Sequence, residues 1–248
     1  MSTIYILWLR QLKRYFRSKT RMIGSLGQPV LFLVALGFGF GPIYEKAGGG
    51  DYIQFLAPGI ICMGILFTSI FMGIEIIWDR QFGFLKETLV APVSRFNIMI
   101  GRTLGGATVA MFQGIIIFLI SLAIGFRPFN YAYVLVAFLI MFLIALLFTA
   151  LGTAIASRME DMHGFQLIIN FLIMPIFFLS GALFPLTNLP PVIETIARLN
   201  PLSYGIDGLR DVLLNISHFG LSVDLGVLGI TCLFLLGIGS YLFSKIQI

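Results

Sequence analysis

Six long apolar stretches constrain the fold of this chain more than any other feature of its sequence. A helix that crosses a membrane needs about 20 mostly apolar residues. Six stretches reach that length, at roughly 22–43, 53–78, 98–126, 131–157, 164–184 and 221–244. We therefore predict an all-α membrane protein with six transmembrane helices, which form a single transmembrane domain over residues 1–248.

The composition supports the membrane class and argues against nucleic-acid binding. Hydrophobic residues make up 58% of the chain and charged residues 11%, whereas soluble domains carry about 25% charged residues. The net charge of +5 has a simple source, because membrane proteins concentrate Lys and Arg in cytoplasmic loops. Cys62 and Cys232 lie within apolar runs without a Cys or His at ligand spacing, so we expect packing roles and no metal.

The distribution of Lys and Arg predicts the orientation in the membrane. With six spans, both termini lie on one side, and that side also receives the loops 79–95 and 158–163. It holds Arg10, Lys13, Arg14, Arg17, Lys19, Arg21, Arg80, Lys86, Arg95, Arg102, Arg158 and Lys245, whereas the other side holds Lys46, Arg127, Arg198 and Arg210. This bias predicts a multi-pass protein of the plasma (inner) membrane with both termini in the cytoplasm.

The first 20 residues have the pattern of a basic amphipathic helix. Its apolar face carries Ile4, Tyr5, Trp8, Leu12, Tyr15 and Phe16, and its opposite face carries Arg10, Lys13, Arg14 and Arg17. Such a helix is suited to lie in the inner membrane surface. It is either a lipid anchor with a topology signal, or an interface helix whose basic face also contacts a cytoplasmic partner.

A polar segment, residues 79–95, separates the second apolar stretch from the third. Gly83 permits a sharp bend, residues 84–91 are long enough for two helical turns, and Pro92 ends that helix. Ser94 is placed to cap the next helix. In the short helix, one side carries Phe84, Leu85, Thr88 and Leu89, while Lys86 and Glu87 point away. The segment is either an ordered loop without a partner, or a helix that transmits the movement of a cytoplasmic partner.

Motifs for chemistry within the chain are missing from the sequence. It has no G-x-x-x-x-G-K-[ST] nucleotide loop and no H-E-x-x-H, C-x-x-C or G-x-S-x-G motif. No Lys or Arg lies at the centre of a span, which disfavours an ion-coupled carrier. We interpret Glu75 as an interfacial or helix-pairing residue and not as a proton relay. The energy source is therefore expected on another chain.

Two stretches carry a family resemblance. The first contains Asp79-Arg80, Gly83, Glu87-Thr88-Leu89 and Pro92-Val93-Ser94-Arg95. The second, residues 178–213, contains Ser180-Gly181, Phe184-Pro185, Leu189-Pro190, Asn200-Pro201-Leu202, Tyr204, Asp207 and Arg210. With six spans and an N-terminal amphipathic helix, the chain resembles permeases of type-2 ABC exporters, in the branch of drug-resistance and nodulation-factor exporters.

The resemblance implies a division of labour between chains. Two permease chains, by default two copies of this one, would work with two copies of a separate ATPase that binds ATP and Mg, so this chain itself would be no enzyme and need no cofactor. The loop between spans two and three would be the coupling helix that docks into the ATPase, through Arg80, Phe84, Leu85, Lys86, Glu87, Thr88 and Leu89. A second contact would involve Arg10, Lys13, Arg14 and Arg17.

The resemblance also implies that residues 185–220 form short re-entrant helices on the external side. The sequence permits this, because Asn188 and Asn200 precede prolines at two plausible helix starts. Pairing of Asp207 with Arg210 or Asp211 would fit one helical face. The external gate would comprise Pro185, Pro190, Asn200, Pro201, Tyr204, Asp207 and Arg210. A plain external loop is the alternative.

The expected function is export of an amphipathic drug or lipid-like molecule along a path lined by spans one, two and five of both permease chains. Export of a lipid-linked polysaccharide or lipo-oligosaccharide is an alternative within the same scheme. A non-transporting scaffold or sensor is an alternative outside it. Membrane lipid is an expected contact in every case.

Overall fold

A computed structural model describes residues 3–90, 92–186 and 190–246, and within them all regular structure is helical, which confirms the all-α prediction. A short 3-10 turn, Tyr131–Tyr133, leads into α7. The helices in chain order are α1 (Thr3–Arg17), α2 (Lys19–Lys46), α3 (Tyr52–Phe71), α4 (Ile74–Gln81), α5 (Phe84–Val90), α6 (Arg95–Ile124), α7 (Val134–Arg158), α8 (Met162–Phe178), α9 (Pro191–Leu199), α10 (Pro201–Leu214) and α11 (Leu221–Ser244).

Five helical stretches within the described part of the chain are long and apolar enough to cross a membrane. They are Lys19–Lys46, Tyr52–Gln81, Arg95–Ile124, Tyr131–Arg158 and Leu221–Ser244. The fifth predicted span, 164–184, forms only the 17-residue helix α8, which ends at Phe178. At about 1.5 Å per residue, that helix is roughly 26 Å long, shorter than a bilayer core of about 30 Å. The six-span arrangement therefore stays a prediction.

Helix α3 forms the centre of the bundle. In the apolar stretch Tyr52–Gln81, which α3 begins, 83% of the most apolar residues are buried, compared with 17% in α2 and in α11. It packs against α2, α6, α7 and α10, while α11 packs mainly against α7. Cys62 and Cys232 are buried and free, as expected of packing residues.

The bundle has two ends, which we call the near end and the far end. At the near end, Arg95 donates hydrogen bonds to the carbonyl oxygens of Ser244 (2.7 Å) and Ile246 (2.9 Å), so α6 begins where α11 ends. At the far end, the Tyr52 hydroxyl donates to the Leu183 carbonyl (2.9 Å) and the Gln54 amide to the Gly125 carbonyl (3.1 Å). Helices α4 and α5 lie at the near end, and residues 179–186 and 190–220 lie at the far end.

Candidate functional site

The short helix α5 has the boundaries that the sequence predicts. Gly83 adopts a φ of 78°, a left-handed conformation that favours glycine and turns the chain from α4 into α5. Helix α5 ends at Val90, two residues before Pro92. The Ser94 side chain then accepts a hydrogen bond from the Asn97 amide (3.2 Å) and caps α6. Local signals therefore specify a short helix between α4 and the long helix α6.

The side chains of α5 divide into an anchor and an exposed surface. Leu85 is 1% exposed and packs into the core of the bundle. Leu85 was expected to contact the ATPase, but its burial does not fit that role. Leu85 instead packs α5 against the helices of its own chain. Thr88 donates its hydroxyl to the Phe84 carbonyl within α5. Lys86 and Glu87 are exposed, Leu89 is partly buried, and Phe84 is 40% exposed.

Arg80 joins α4 to the end of α7. Its guanidinium donates to the carbonyl oxygens of Met159 (2.8 Å) and Ser157 (3.2 Å). The last carbonyls of a helix lack partners within the helix, and an arginine satisfies them well. Arg80 is thus used inside this chain, where it orients α4 and α5.

Helix α1 packs along the first half of α6. Its buried residues, Leu7, Gln11 and Tyr15, share one face, and Gly101 and Gly105 of α6 allow its backbone to approach closely. Tyr5 and Phe16 of the predicted apolar face are exposed, as a side that faces lipid requires. The burial of the polar Gln11 against α6 was not predicted.

Two hydrogen bonds along this contact hold α1 in register with α6. Trp8 Nε1 donates to Thr108 Oγ1 (3.0 Å), and the Tyr15 hydroxyl donates to Gln113 Oε1 (2.6 Å). Burial raises the pKa of Tyr15, which keeps this donor protonated. Helix α1 is therefore joined to the bundle by directional bonds as well as by apolar contact.

A buried set of charges joins α1, α2, α4 and α6, and we call it the near-end ion cluster. Asp79 lies 3.2 Å from Arg10 and 3.5 Å from Arg14, and it also contacts Arg102. Glu75 lies 2.7 Å from Arg21 and 3.6 Å from Arg14. The side chains of Glu75 and Asp79 are 2% and 6% exposed. The cluster comprises Arg10, Arg14, Arg21, Glu75, Asp79 and Arg102.

The cluster carries more positive than negative charge. Four guanidinium groups meet two carboxylates, and Arg102, at 3% exposure, has its Nε and Nη1 atoms buried without hydrogen-bond partners among the described residues. Removing one member of a buried ion pair costs about 3–5 kcal/mol, because the other charge stays buried and unpaired. The cluster therefore makes the positions of α1, α2, α4 and α6 depend on one another.

A groove of about 650 Å³ lies between the basic face of α1 and the start of α5. Of the residues that the resemblance implies as ATPase contacts, it contains the four basic residues of α1 and, from α5, Phe84. Arg10 lies over the Phe84 ring at 4.0 Å from its centroid, so α1 touches α5 directly. Lys13 and Arg17 are exposed, and Phe82 is 83% exposed. The lining comprises Tyr5, Ile6, Leu9, Arg10, Lys13, Arg14, Arg17, Asp79, Phe82 and Phe84. The surface offered to a partner is therefore basic and aromatic.

The far end contains the residues predicted as an external gate. The Asn200 side chain caps α10 by accepting from the Leu202 amide (3.0 Å), with Pro201 in the first turn, as predicted. Tyr204 donates its hydroxyl to the Arg198 carbonyl (2.7 Å), which ties α10 to α9. Pro190 immediately precedes α9, and Pro185 lies in the connection from α8. Asn188, the other predicted helix start, and Leu189 lie outside the described residues.

Asp207 and Arg210 do not form the predicted pair. Asp207 accepts hydrogen bonds from the backbone amides of His218 (2.9 Å) and Phe219 (2.7 Å). Arg210 donates to the carbonyl oxygens of Phe55, Gly181 and Ala182, at 3.2, 2.9 and 3.4 Å, and lies 3.8 Å above the Phe55 ring. Asp207 instead stabilises the connection between α10 and α11, and Arg210 stabilises the segment that follows α8.

Sequence reasoning missed the partners in the near-end ion cluster. Glu75 was predicted to pair helices, which the structure confirms, but Arg21 and Arg102 were not predicted as partners. Glu75 and Asp79 are spaced i, i+4, as are Arg10 and Arg14. Two carboxylates on one face of an apolar helix need cations, so this spacing was a usable signal. Asp224 is fully buried on α11, with neither oxygen hydrogen-bonded to the part of the chain that the structure describes, and it had no such signal.

Comparison with known proteins places the chain in a family. Residues 2–214 match the model of the family described as ABC-2 type transporter. The chain is 33% identical over 245 residues to "Putative transport permease ycf38" of Porphyra purpurea, covering 93% of this chain and 83% of the relative. It is 30% identical over 233 residues to "Inner membrane transport permease YadH" of Escherichia coli (strain K12), covering 90% and 87%. It is 29% identical over 213 residues to "Nodulation protein J" of Rhizobium leguminosarum bv. trifolii, covering 85% and 78%.

These matches extend over both predicted motifs and over most of each relative. Two of the relatives named here are called transport permeases, and one of those is called an inner membrane protein. The chain belongs to the ABC-2 type transporter family and is a multi-pass membrane transport permease.

Proposed function

We propose that this chain is the permease subunit of an ATP-driven exporter that moves an amphipathic drug or lipid-like molecule. A separate ATPase, present in two copies, would bind ATP and Mg and supply the energy. The observation that carries this proposal is α5, a helix with a buried anchor at Leu85 and an exposed surface at Phe84, Lys86 and Glu87. Members of the ABC-2 type family generally work with an ATPase partner, which supports the assignment.

The contacts of α5 offer a route for a mechanical signal. Movement of α5 would act on α4 across the bend at Gly83 and on α1 through the contact of Arg10 with Phe84. The near-end ion cluster joins both helices to α2 and α6. An ATPase bound in the groove would therefore move α1, α2 and α4 together.

The working unit would contain two copies of this chain. Helices α2 and α11 are largely exposed, and α8 presents Leu167 at 70% and Phe171 at 88% exposure. These apolar faces suit lipid or a second permease copy, and α2, α3 and α8 of both copies would line the path. The near end would face the cytoplasm, so that the groove meets the ATPase, and α9 with α10 would close the external side.

Co-expression with an ABC ATPase from the same operon, where the neighbouring genes encode one, tests the proposal. The wild-type chain should retain the ATPase in a pull-down, and the double variant Phe84→Ala/Glu87→Ala should lose at least tenfold in retention, because both side chains are exposed on α5. Phe129→Ala is the matched control, since Phe129 is 76% exposed at the far end. Equal retention by all three proteins would count against docking through α5.

Transport is tested separately in sealed vesicles that contain both chains. Efflux of a fluorescent amphiphile should require ATP and should stop in the Phe84→Ala/Glu87→Ala variant. Efflux driven by an ion gradient alone would favour a carrier. A wild-type complex that hydrolyses ATP without efflux of any amphiphile would favour a scaffold or sensor.

A further inference from the structure

A second concave site lies between α1, α2, α3 and α4 and includes Arg21 of the ion cluster, whereas the α5 groove includes Arg10, Arg14 and Asp79. This cavity has a volume of about 430 Å³, within the range of small-molecule sites. Its mouth is formed in part by Gly24 and Gln28, which are exposed. The lining comprises Tyr15, Arg21, Gly24, Ser25, Gln28, Pro29, Gly64, Phe67, Thr68, Phe71, Met72, Ile74 and Trp78.

The lining has an apolar body with a cation at one place. Phe67, Phe71, Pro29 and Ile74 supply the apolar wall, and Arg21 is the charged residue among the lining residues. An apolar site with a few convergent polar groups is the usual form of a binding site for an amphiphile. The positive charge of Arg21 favours a bound molecule whose polar group is negatively charged.

The hydrogen bonds of Arg21 leave it able to bind an anion. Its Nη1 atom donates to Glu75 at 2.7 Å, whereas its Nη2 atom contacts the thioether sulfur of Met72 at 3.4 Å. A guanidinium has five N–H donors, and a thioether is a weak acceptor. A phosphate or carboxylate oxygen at that position would replace a weak acceptor by a charged one.

The surrounding charge also favours an anion. The near-end ion cluster contains four guanidinium groups and two carboxylates, and Arg14, which lies 5.7 Å from the centre of the Trp78 ring, is one of its shared members. A singly charged anion beside Arg21 would reduce this excess of positive charge. A cationic amphiphile would increase it and is therefore disfavoured.

We propose that this cavity binds an amphiphile with one anionic group, whose polar group contacts Arg21 and whose apolar part lies along Phe67 and Phe71. The amphiphile is either an anionic phospholipid of the membrane or the transported molecule itself, and only the second case rests on the proposed function. Because the cavity contacts α1, α2 and α4, its occupant would lie against the same helices that the ion cluster joins.

Tryptophan fluorescence provides a direct test, since the chain has two Trp residues and Trp78 lines the cavity. The permease is purified in a neutral detergent as a Trp8→Phe variant, so that Trp78 is the reporter. A dodecyl phosphate with a terminal bromine, which quenches on contact, is the probe. Saturable quenching is expected, and a brominated dodecyl trimethylammonium of the same length should quench only weakly and without saturation. A Trp78→Phe variant that keeps Trp8 should show no saturable phase.

Two glycines of α2 supply a matched pair of variants. A Cβ at Gly24 or at Gly27 would meet no atom within 4 Å, but only Gly24 lines the cavity. Gly24→Leu should narrow the mouth of the cavity and weaken saturable quenching, and Gly27→Leu should leave it unchanged. Arg21→Gln should weaken binding of the phosphate about tenfold or more, while Arg21→Lys should retain most of it.

The results that would overturn the site are equally specific. Quenching that rises linearly with probe, that is equal for the cationic analogue, or that is the same in Gly24→Leu and Gly27→Leu would show partition into the detergent layer and no site. None of these readouts needs the ATPase, so a failure of the docking experiment does not affect them.

Native mass spectrometry then distinguishes the two sources of the amphiphile. A phosphatidylglycerol retained by the wild type and lost by Gly24→Leu would identify membrane phospholipid as the occupant. Binding of dodecyl phosphate by a protein that retains no phosphatidylglycerol, even after that lipid is added back, would instead exclude membrane phospholipid and leave the transported molecule as the occupant. Both results support an anionic amphiphile, and absence of both contradicts it.

Discussion

At the near end of the bundle, four guanidinium groups share two carboxylates, whereas at the far end the buried Asp207 and Arg210 bond to the backbone. Asp79 and Glu75 contact side chains from α1, α2 and α6. Asp207 instead accepts from backbone amides of residues 218 and 219, and Arg210 donates to backbone carbonyls of Phe55, Gly181 and Ala182. The two ends bury similar groups but connect different parts of the structure.

This difference suggests different mechanical roles. Long arginine side chains from three helices can follow a moving carboxylate, so the near end can shift while its charges stay paired. Backbone bonds fix a connection at one distance and angle, so the bonds of Asp207 and Arg210 hold the far end in one shape. The near end is therefore suited to transmit movement and the far end to resist it.

The largest expected effect comes from removing a shared carboxylate. Asp79→Asn leaves Arg102 buried beside a neutral partner and should lower the free energy of unfolding by about 3–5 kcal/mol. Denaturant unfolding in detergent, followed by circular dichroism, measures this loss. If Asp79→Asn lowers the free energy of unfolding by no more than the loss of an exposed ion pair does, the account of the near end is contradicted.

A smaller and local effect is expected at the far end. Arg210→Met removes the donor to the Gly181 and Ala182 carbonyls and should cost about 1–3 kcal/mol. Hydrogen exchange should increase for residues 179–186 and remain unchanged in α1 and α5. The control is Arg127→Met, because Arg127 also bonds carbonyls but at an exposed site. Faster exchange at the near end would remove the distinction between the two ends.

A still smaller effect is expected for the contact of α1 with α5. Arg10, with 29% of its side chain exposed, lies over Phe84, so a double-mutant cycle of Arg10→Gln with Phe84→Leu should give a coupling of about 0.5–1 kcal/mol. The same cycle with the exposed Lys13→Gln should be additive. Equal coupling in the two cycles would show that Arg10 has no specific contact with α5.

The smallest effect is expected for the exposed pair of α9. Arg198 and Glu194 lie 2.7 Å apart at i, i+4, with 60% and 40% of their side chains exposed. Glu194→Gln should change the free energy of unfolding by about 0.5 kcal/mol or less. A change comparable to that of Asp79→Asn would mean that burial does not separate the two kinds of ion pair.

Local signals made much of the docking region predictable. Gly83, Pro92 and Ser94 each act within a few residues, so the boundaries of α5 and the start of α6 follow from sequence alone. The same holds for Asn200 at α10. These features depend on backbone geometry and capping, which neighbouring residues determine.

Features that depend on distant contacts were not predictable in the same way. The buried face of α1 is set by Gly101 and Gly105, some 90 residues away, and the identity of the cations beside Glu75 and Asp79 is set by helix packing. Arg210 has carbonyl partners instead of Asp207 because Gly181 turns the chain toward it. Periodicity identifies a face but does not identify what covers it.

Photo-crosslinking in membranes tests the central claim most directly, namely that α5 and the basic face of α1 form the docking surface for the ATPase. A photoreactive residue is placed at Lys86, Lys13 or Val192, all of which are exposed, with Val192 on α9 at the far end. With the ATPase co-expressed, the account predicts adducts from positions 86 and 13 and none from 192. An adduct from position 192, or none from position 86, would contradict it.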